Sequence, residues 1–135
     1  MKTIKFKFIA LLFVLAGIGT ACSVDDDENY CFSSIFVEPT GVTGPTTTTV
    51  NVPITFNVSF KPFNKCGKFN DFSETNTFPK EIKILVDYEG CQCASTDATL
   101  TEPYVFTATT SGEYVLKFLT SKPAEPIVKT ITVTQ

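Results

Sequence analysis

The sequence predicts an all-β domain, an antiparallel sandwich of seven or eight short strands behind an N-terminal export segment. Three observations lead there. Apolar and polar residues alternate with a period of two in several short runs, most clearly at 54–61 and 81–88, and alternation puts the apolar set on one face of a strand. Turn-forming residues (Pro39, Gly41, Pro53, Pro62, Pro79, Gly90, Gly112, Pro123, Pro126) punctuate the chain at fairly even spacing, the pattern of strands that fold back and forth into two layers. After residue 21 no stretch has the three-to-four spacing of an amphipathic helix.

The chain opens with Lys2, Lys5 and Lys7 and no acidic residue, followed by an apolar run from Phe8 to Ile18. This run of about eleven residues falls well short of the ~20 that a bilayer-spanning helix needs. Small residues follow it, so residues 1–21 read as a removable signal peptide. Gly19-Thr20-Ala21-Cys22 resembles the lipobox of bacterial lipoproteins, with Gly19 where an aliphatic residue is usual. The resemblance implies that Cys22 is acylated (palmitate among its chains), becomes the first mature residue, and ties the protein to the outer membrane. Ser23-Val24-Asp25-Asp26-Asp27-Glu28 resembles the acidic signal that sends some Gram-negative lipoproteins to the cell exterior. Ordinary signal peptidase cutting after Ala21 is the alternative, and its product is a soluble secreted domain.

Removal of residues 1–21 takes three of the eleven basic residues and none of the fourteen acidic ones, leaving a charge of 8 − 14 = −6. Phosphate binding needs clustered Lys and Arg, so nucleic acid is excluded as a partner class. Histidine is absent, which removes the commonest general base and the commonest metal-binding nitrogen. The remainder is long enough for a single domain with its own core.

Residues 22–32 read as a short acidic tether that cannot bury apolar surface. Asp25 to Glu28 lack the spaced ligands and turn glycine of a calcium loop. The domain proper is expected over 33–135. Residues 34–37 form a short strand stopped by Pro39 and Gly41, with a turn-rich link over 41–45. Residues 46–51, rich in Thr, form an edge strand that could accept a partner's strand. Residues 54–61 are the clearest strand, with Ile54, Phe56, Val58 and Phe60 on one face. The sequon at Asn57 reads as chance. Residues 66–73 pair antiparallel with 81–90 around a turn near 75–79, which places Cys66 opposite roughly residue 90. Ile82, Ile84, Val86 and Tyr88 point inward and Leu85 outward. Further strands are expected at 103–108, at 113–119 with Tyr114, Leu116 and Phe118 inward, and at 127–133 with Ile131 and Val133 inward.

The chain has five cysteines. In an exported protein thiols persist as disulfides, and if lipid takes Cys22 the other four close two bridges with no stray thiol. Cys91 and Cys93 are too close in sequence for an unstrained bridge to each other. The expected pairs are Cys66 with Cys91 or Cys93, and Cys31 with the other. A four-thiolate zinc site would need paired C-x-x-C spacing, which is missing.

The segment from Phe106 to Phe118 resembles the strand–turn–strand end of bacterial immunoglobulin-like domains, in which G-x-Y opens a late strand and the tyrosine plugs a corner; Gly112-Glu113-Tyr114 matches. The resemblance implies an immunoglobulin-like β-sandwich over 33–135 and leaves function open. A nucleophile here would have no histidine beside it, and the carboxylates Asp71, Glu74, Asp87 and Glu89 read as solvated strand residues rather than a glycosidase pair. The sequence therefore points to a surface lipoprotein without catalytic residues, metal or cofactor, whose role is binding, adhesion or accessory, with a protein or glycan partner. The candidate ligand patch, for a carbohydrate-binding role, is Phe69, Phe72, Phe78 and Tyr104, with Phe63 nearby; a hydrophobic cluster under a long loop is the competing reading, since sugar platforms favour Trp and Tyr.

Overall fold

A computed structural model describes residues 30–121 and 125–135. The signal peptide, Cys22 and the acidic run Asp25 to Glu28 lie outside the described residues. The described chain is all-β, with nine strands: β1 (Phe32–Val37), β2 (Pro39–Thr43), β3 (Thr47–Thr49), β4 (Ile54–Phe60), β5 (Gly67–Glu74), β6 (Lys80–Glu89), β7 (Leu100–Phe106), β8 (Gly112–Phe118) and β9 (Ile127–Thr134). They make a six-stranded sheet in the order β1-β6-β8-β9-β3, with β5 also on β6, and a three-stranded sheet in the order β2-β4-β7.

The alternating strands do what their pattern requires. Phe56, Val58 and Phe60 of β4 face Ile82, Ile84 and Val86 of β6, Leu116 and Phe118 of β8 and Ile131 of β9 across one core, all with no exposure. Each such side chain contributes roughly 1.5–3 kcal/mol when buried. Aromatic rings bridge the sheets: Phe56 lies 6.4 Å and Tyr104 5.6 Å from Phe118, centroid to centroid.

The expected antiparallel arrangement needs correction, because the larger sheet is mixed. β6 pairs β8 in parallel over Lys80 to Ile82, and β3 pairs β9 in parallel. Between β6 and β8 the chain crosses to the other sheet as β7 and back. Two reversals restore its direction, and a connection of that length is what parallel neighbours need.

The ninth strand is β2, where Pro39 and Gly41 suggested a link. The chain leaves the large sheet at Glu38 and joins the small one, Pro39 opposite Phe60 and Val42 opposite Val58, with a register shift between Pro39 and Gly41. Proline is tolerated there because it starts an edge strand. β7 begins three residues earlier than expected, at Leu100. The β5–β6 hairpin has the expected sense: Gly67 pairs with Tyr88, which brings Cys66 level with Glu89, and a bulge separates Phe69 from Asp71. The folded unit also begins earlier than residue 33, since Cys31 is disulfide-bonded and Phe32 pairs with Glu89.

At the opposite end Gly112 sits at φ +146°, a conformation that favours glycine. It turns the chain so that the Tyr114 hydroxyl donates back to the Thr110 carbonyl oxygen at 3.0 Å, with the Thr110 hydroxyl 2.7 Å away.

Candidate functional site

The described chain begins at a doubly bridged end. Cys31 joins Cys91 and Cys66 joins Cys93, with Cα atoms 4.9 and 5.7 Å apart, which decides between the two pairings that the sequence left open. The Gly90 amide donates to the Cys31 carbonyl at 2.8 Å, the Lys65 amide to the Ala94 carbonyl at 2.9 Å, and Asn64 bridges Ser95. The loop before β5 and the loop after β6 are thus fixed to each other and to the start of β1.

This end carries a surface that the sequence reading missed. β1 has large apolar residues on both faces, and five of its six positions are exposed. The Tyr30 and Phe32 rings stack with centroids 6.3 Å apart and planes within 6°. Phe63 stacks on Tyr88 at 6.0 Å, and its backbone amide donates to the Tyr88 hydroxyl at 3.0 Å. With Ile35 these rings line an open groove of about 450 Å³. Tyr30 and Phe32 fell inside the expected tether, and Phe63, expected near Phe69, Phe72 and Phe78, stacks on Tyr88 instead. The available signal was the crowding of Tyr30, Phe32, Ile35 and Phe36 into seven positions without the alternation of a half-buried strand. The groove is bounded by charge: the Tyr30 hydroxyl donates to Glu89 at 3.3 Å. On the outer face of the sheet Ser34 and Asn70 donate to Asp87 at 2.5 and 2.8 Å, and these bonds hold its carboxyl below the ordinary value. The Lys83 ammonium lies 5.4 Å from the Phe36 ring centroid.

Of the expected ligand patch, the structure brings three members together and leaves one apart. Phe69 lies 4.8 Å from Phe72, and Phe72 lies 5.3 Å from Tyr104. This row turns inward: Tyr104 is 5 % exposed, and Phe69 and Phe72 are half-buried against the core. Phe78 belongs to a different group, 4.9 Å from Tyr114 and 6.3 Å from Phe106, with the Lys80 ammonium 5.7 Å from its ring centroid.

Tyr104 also closes a polar latch between the sheets. Its hydroxyl donates to Glu74 Oε2 at 2.5 Å, while Lys80 Nζ donates to Glu74 Oε1 at 2.7 Å. Burial raises the Glu74 carboxyl, but the bonds from Lys80 and Tyr104 outweigh it and hold the group below 4.5. Burial, then the bond to that carboxylate, pushes the Tyr104 phenol upward, so the hydroxyl stays a donor and is unavailable as a base.

The four strand carboxylates are separately engaged: Glu74 in the latch, Asp87 by Ser34 and Asn70, Glu89 by Tyr30, and Asp71 by the Phe72 amide. Among the described residues no three His, Cys, Asp or Glu side chains are grouped to hold a metal ion. Comparison with family models, with curated proteins and with solved structures finds no match to this chain.

Proposed function

We propose that this chain is an exported lipoprotein, acylated at Cys22 and held on the outer membrane facing the exterior, whose domain has a non-catalytic binding, adhesion or accessory role. The observation that carries this reading is the closure of Cys31, Cys66, Cys91 and Cys93 into two bridges. Disulfides belong to oxidising compartments, and with these four cysteines bonded to one another Cys22 has no fellow cysteine left in the chain. Lipidation gives that cysteine a role, and an acidic stretch follows it directly.

The finer reading of the fold, an immunoglobulin-like sandwich, draws support from the Tyr114 hydroxyl bonded back to Thr110 at the entrance to β8, the tyrosine-corner contact of such domains. The mixed sheet departs from their all-antiparallel pattern. For binding, the groove beside β1 offers exposed rings on a fixed backbone. The row of Phe69, Phe72 and Tyr104 offers less to a glycan, since its one hydroxyl is spent on Glu74 and its rings lie against the core.

Substituting Cys22→Ala in the full chain tests the anchor. The expected result is transfer of the protein from the membrane fraction to the soluble fraction. Unchanged partition between the two would defeat the lipoprotein reading.

A further inference from the structure

The groove beside β1 and the position of Cys22 together point to a single occupant. We propose that this face lies in the headgroup region of the membrane that anchors the chain, entered by Tyr30, Phe32 and Phe63. The inference rests on the anchored reading above and names the partner of that same surface.

Four of the nine exposed large hydrophobic residues among the described residues (Tyr30, Phe32, Ile35 and Phe63) line this one groove. Tyr30, Phe32 and Phe63 are 70, 53 and 64 % exposed. Scattered apolar residues need no explanation, but a concentrated patch does. This one sits where the tether arrives. The eight Cα–Cα steps from Cys22 to Tyr30 reach about 28 Å at full stretch, so an acylated Cys22 keeps the start of the groove, at the Tyr30 Cα, within that distance of the bilayer surface. So short a link gives the rings an effective concentration at the membrane on the order of millimolar, and weak individual affinities then suffice. Tyr30, a ring with a polar edge, suits the headgroup level, and the wholly apolar Phe32 and Phe63 rings suit the boundary with the acyl chains just beneath it. The headgroup layer is wet, so Glu89, Asn64 and the outer edge of β1 remain hydrated there. The two disulfides already fix the rings, and docking therefore orders little additional chain. The acidic tether and the net charge give no attraction to anionic lipid, so the docking is apolar in origin and is tested on zwitterionic vesicles.

The chain contains no tryptophan, so one introduced indole reports its own surroundings. The probe is the protein expressed from the full 135-residue sequence and carrying Phe63→Trp, or Phe32→Trp as an independent second reporter. Val105→Trp, at a site 59 % exposed on β7 of the other sheet, is the control. Protein recovered from the membrane fraction is reconstituted into phosphatidylcholine vesicles with brominated acyl chains. The interfacial position predicts emission shifted to the blue and quenched about twofold or more for F63W and F32W, with V105W unaffected. Acylated, membrane-bound protein whose F63W and F32W emission is unquenched would overturn the docking while leaving the anchor intact. If the chain is instead soluble and unacylated, the anchor reading fails. The same variants mixed with excess vesicles then decide the docking: quenching sustains it and no quenching overturns it. A blue shift that grows with protein concentration in lipid-free buffer, without quenching by lipid, assigns the face to a second copy of the chain and also overturns the proposal.

Discussion

Glu74 and Tyr104 show how much one residue pair does in this fold. They come from different sheets, 30 residues apart, and share one hydrogen bond at the edge of the core. Because the Glu74 carboxyl lies below 4.5 in the fold, the native state binds fewer protons than the unfolded chain around that pH. Its stabilisation is fully present above pH 4.5 and is lost as pH falls through the lowered value. Tyr104 has the opposite sign: the phenol is raised from 10.0, so its contribution is complete below pH 10 and declines as pH rises beyond it. Tyr104→Phe should lower stability by roughly 1–2 kcal/mol at neutral pH, discounted because Glu74 is partly exposed. It should also flatten the alkaline fall, which urea titrations at pH 7 and pH 11 would reveal; an unchanged alkaline slope would remove the latch from the account. Gly44 makes the complementary steric case. A Cβ there would overlap the Phe56 ring, which has no exposure and no room to move. Gly44→Ala should therefore cost about 1–3 kcal/mol, read as a drop in thermal midpoint.

The strands divide by how local their causes are. β4 and β6 were legible because each carries its own alternation, and alternation survives wherever the strand ends up. The hairpin register followed from the same alternation and a turn between its arms, and the register put Cys66 within reach of its partner. β2 was not legible. Pro39 and Gly41 are turn residues by composition, and only the crossing at Glu38 makes them the start of an edge strand. Parallel pairing of β6 with β8 was equally out of reach, because it depends on the route between the sheets rather than on either strand. The ligand patch illustrates the limit from the other side: Phe69, Phe72 and Tyr104 do gather, but nothing in their spacing says that the row turns inward. β1 leans on the covalent link at its start, since most of its side chains are exposed and only Val37 is buried. Removing the first bridge with Cys31→Ser and Cys91→Ser should cost roughly 2–4 kcal/mol. Amide exchange should then quicken over Phe32–Val37 before it does in β4, and equal acceleration in both would contradict this ordering.

Taken as one object, the described chain is a two-sheet body with its hydroxyl-rich edge strand β3 on one flank, a tyrosine-closed turn at one end, and cysteine bridges with exposed rings at the end where the described residues begin. That polarity gives the anchored reading its shape: the bridged end stays near the lipid and the Gly112 turn points away from it. Both bridges, and the acyl group that the proposed anchor requires, would leave their mark on the mass of the natural product. The most direct measurement is the intact mass of unreduced protein extracted from its own membranes. The account predicts a chain that begins at Cys22, carries acyl mass on that residue, and is lighter by four hydrogens for two disulfides. A chain beginning at residue 22 with no acyl mass, or one with four alkylatable thiols, would contradict it.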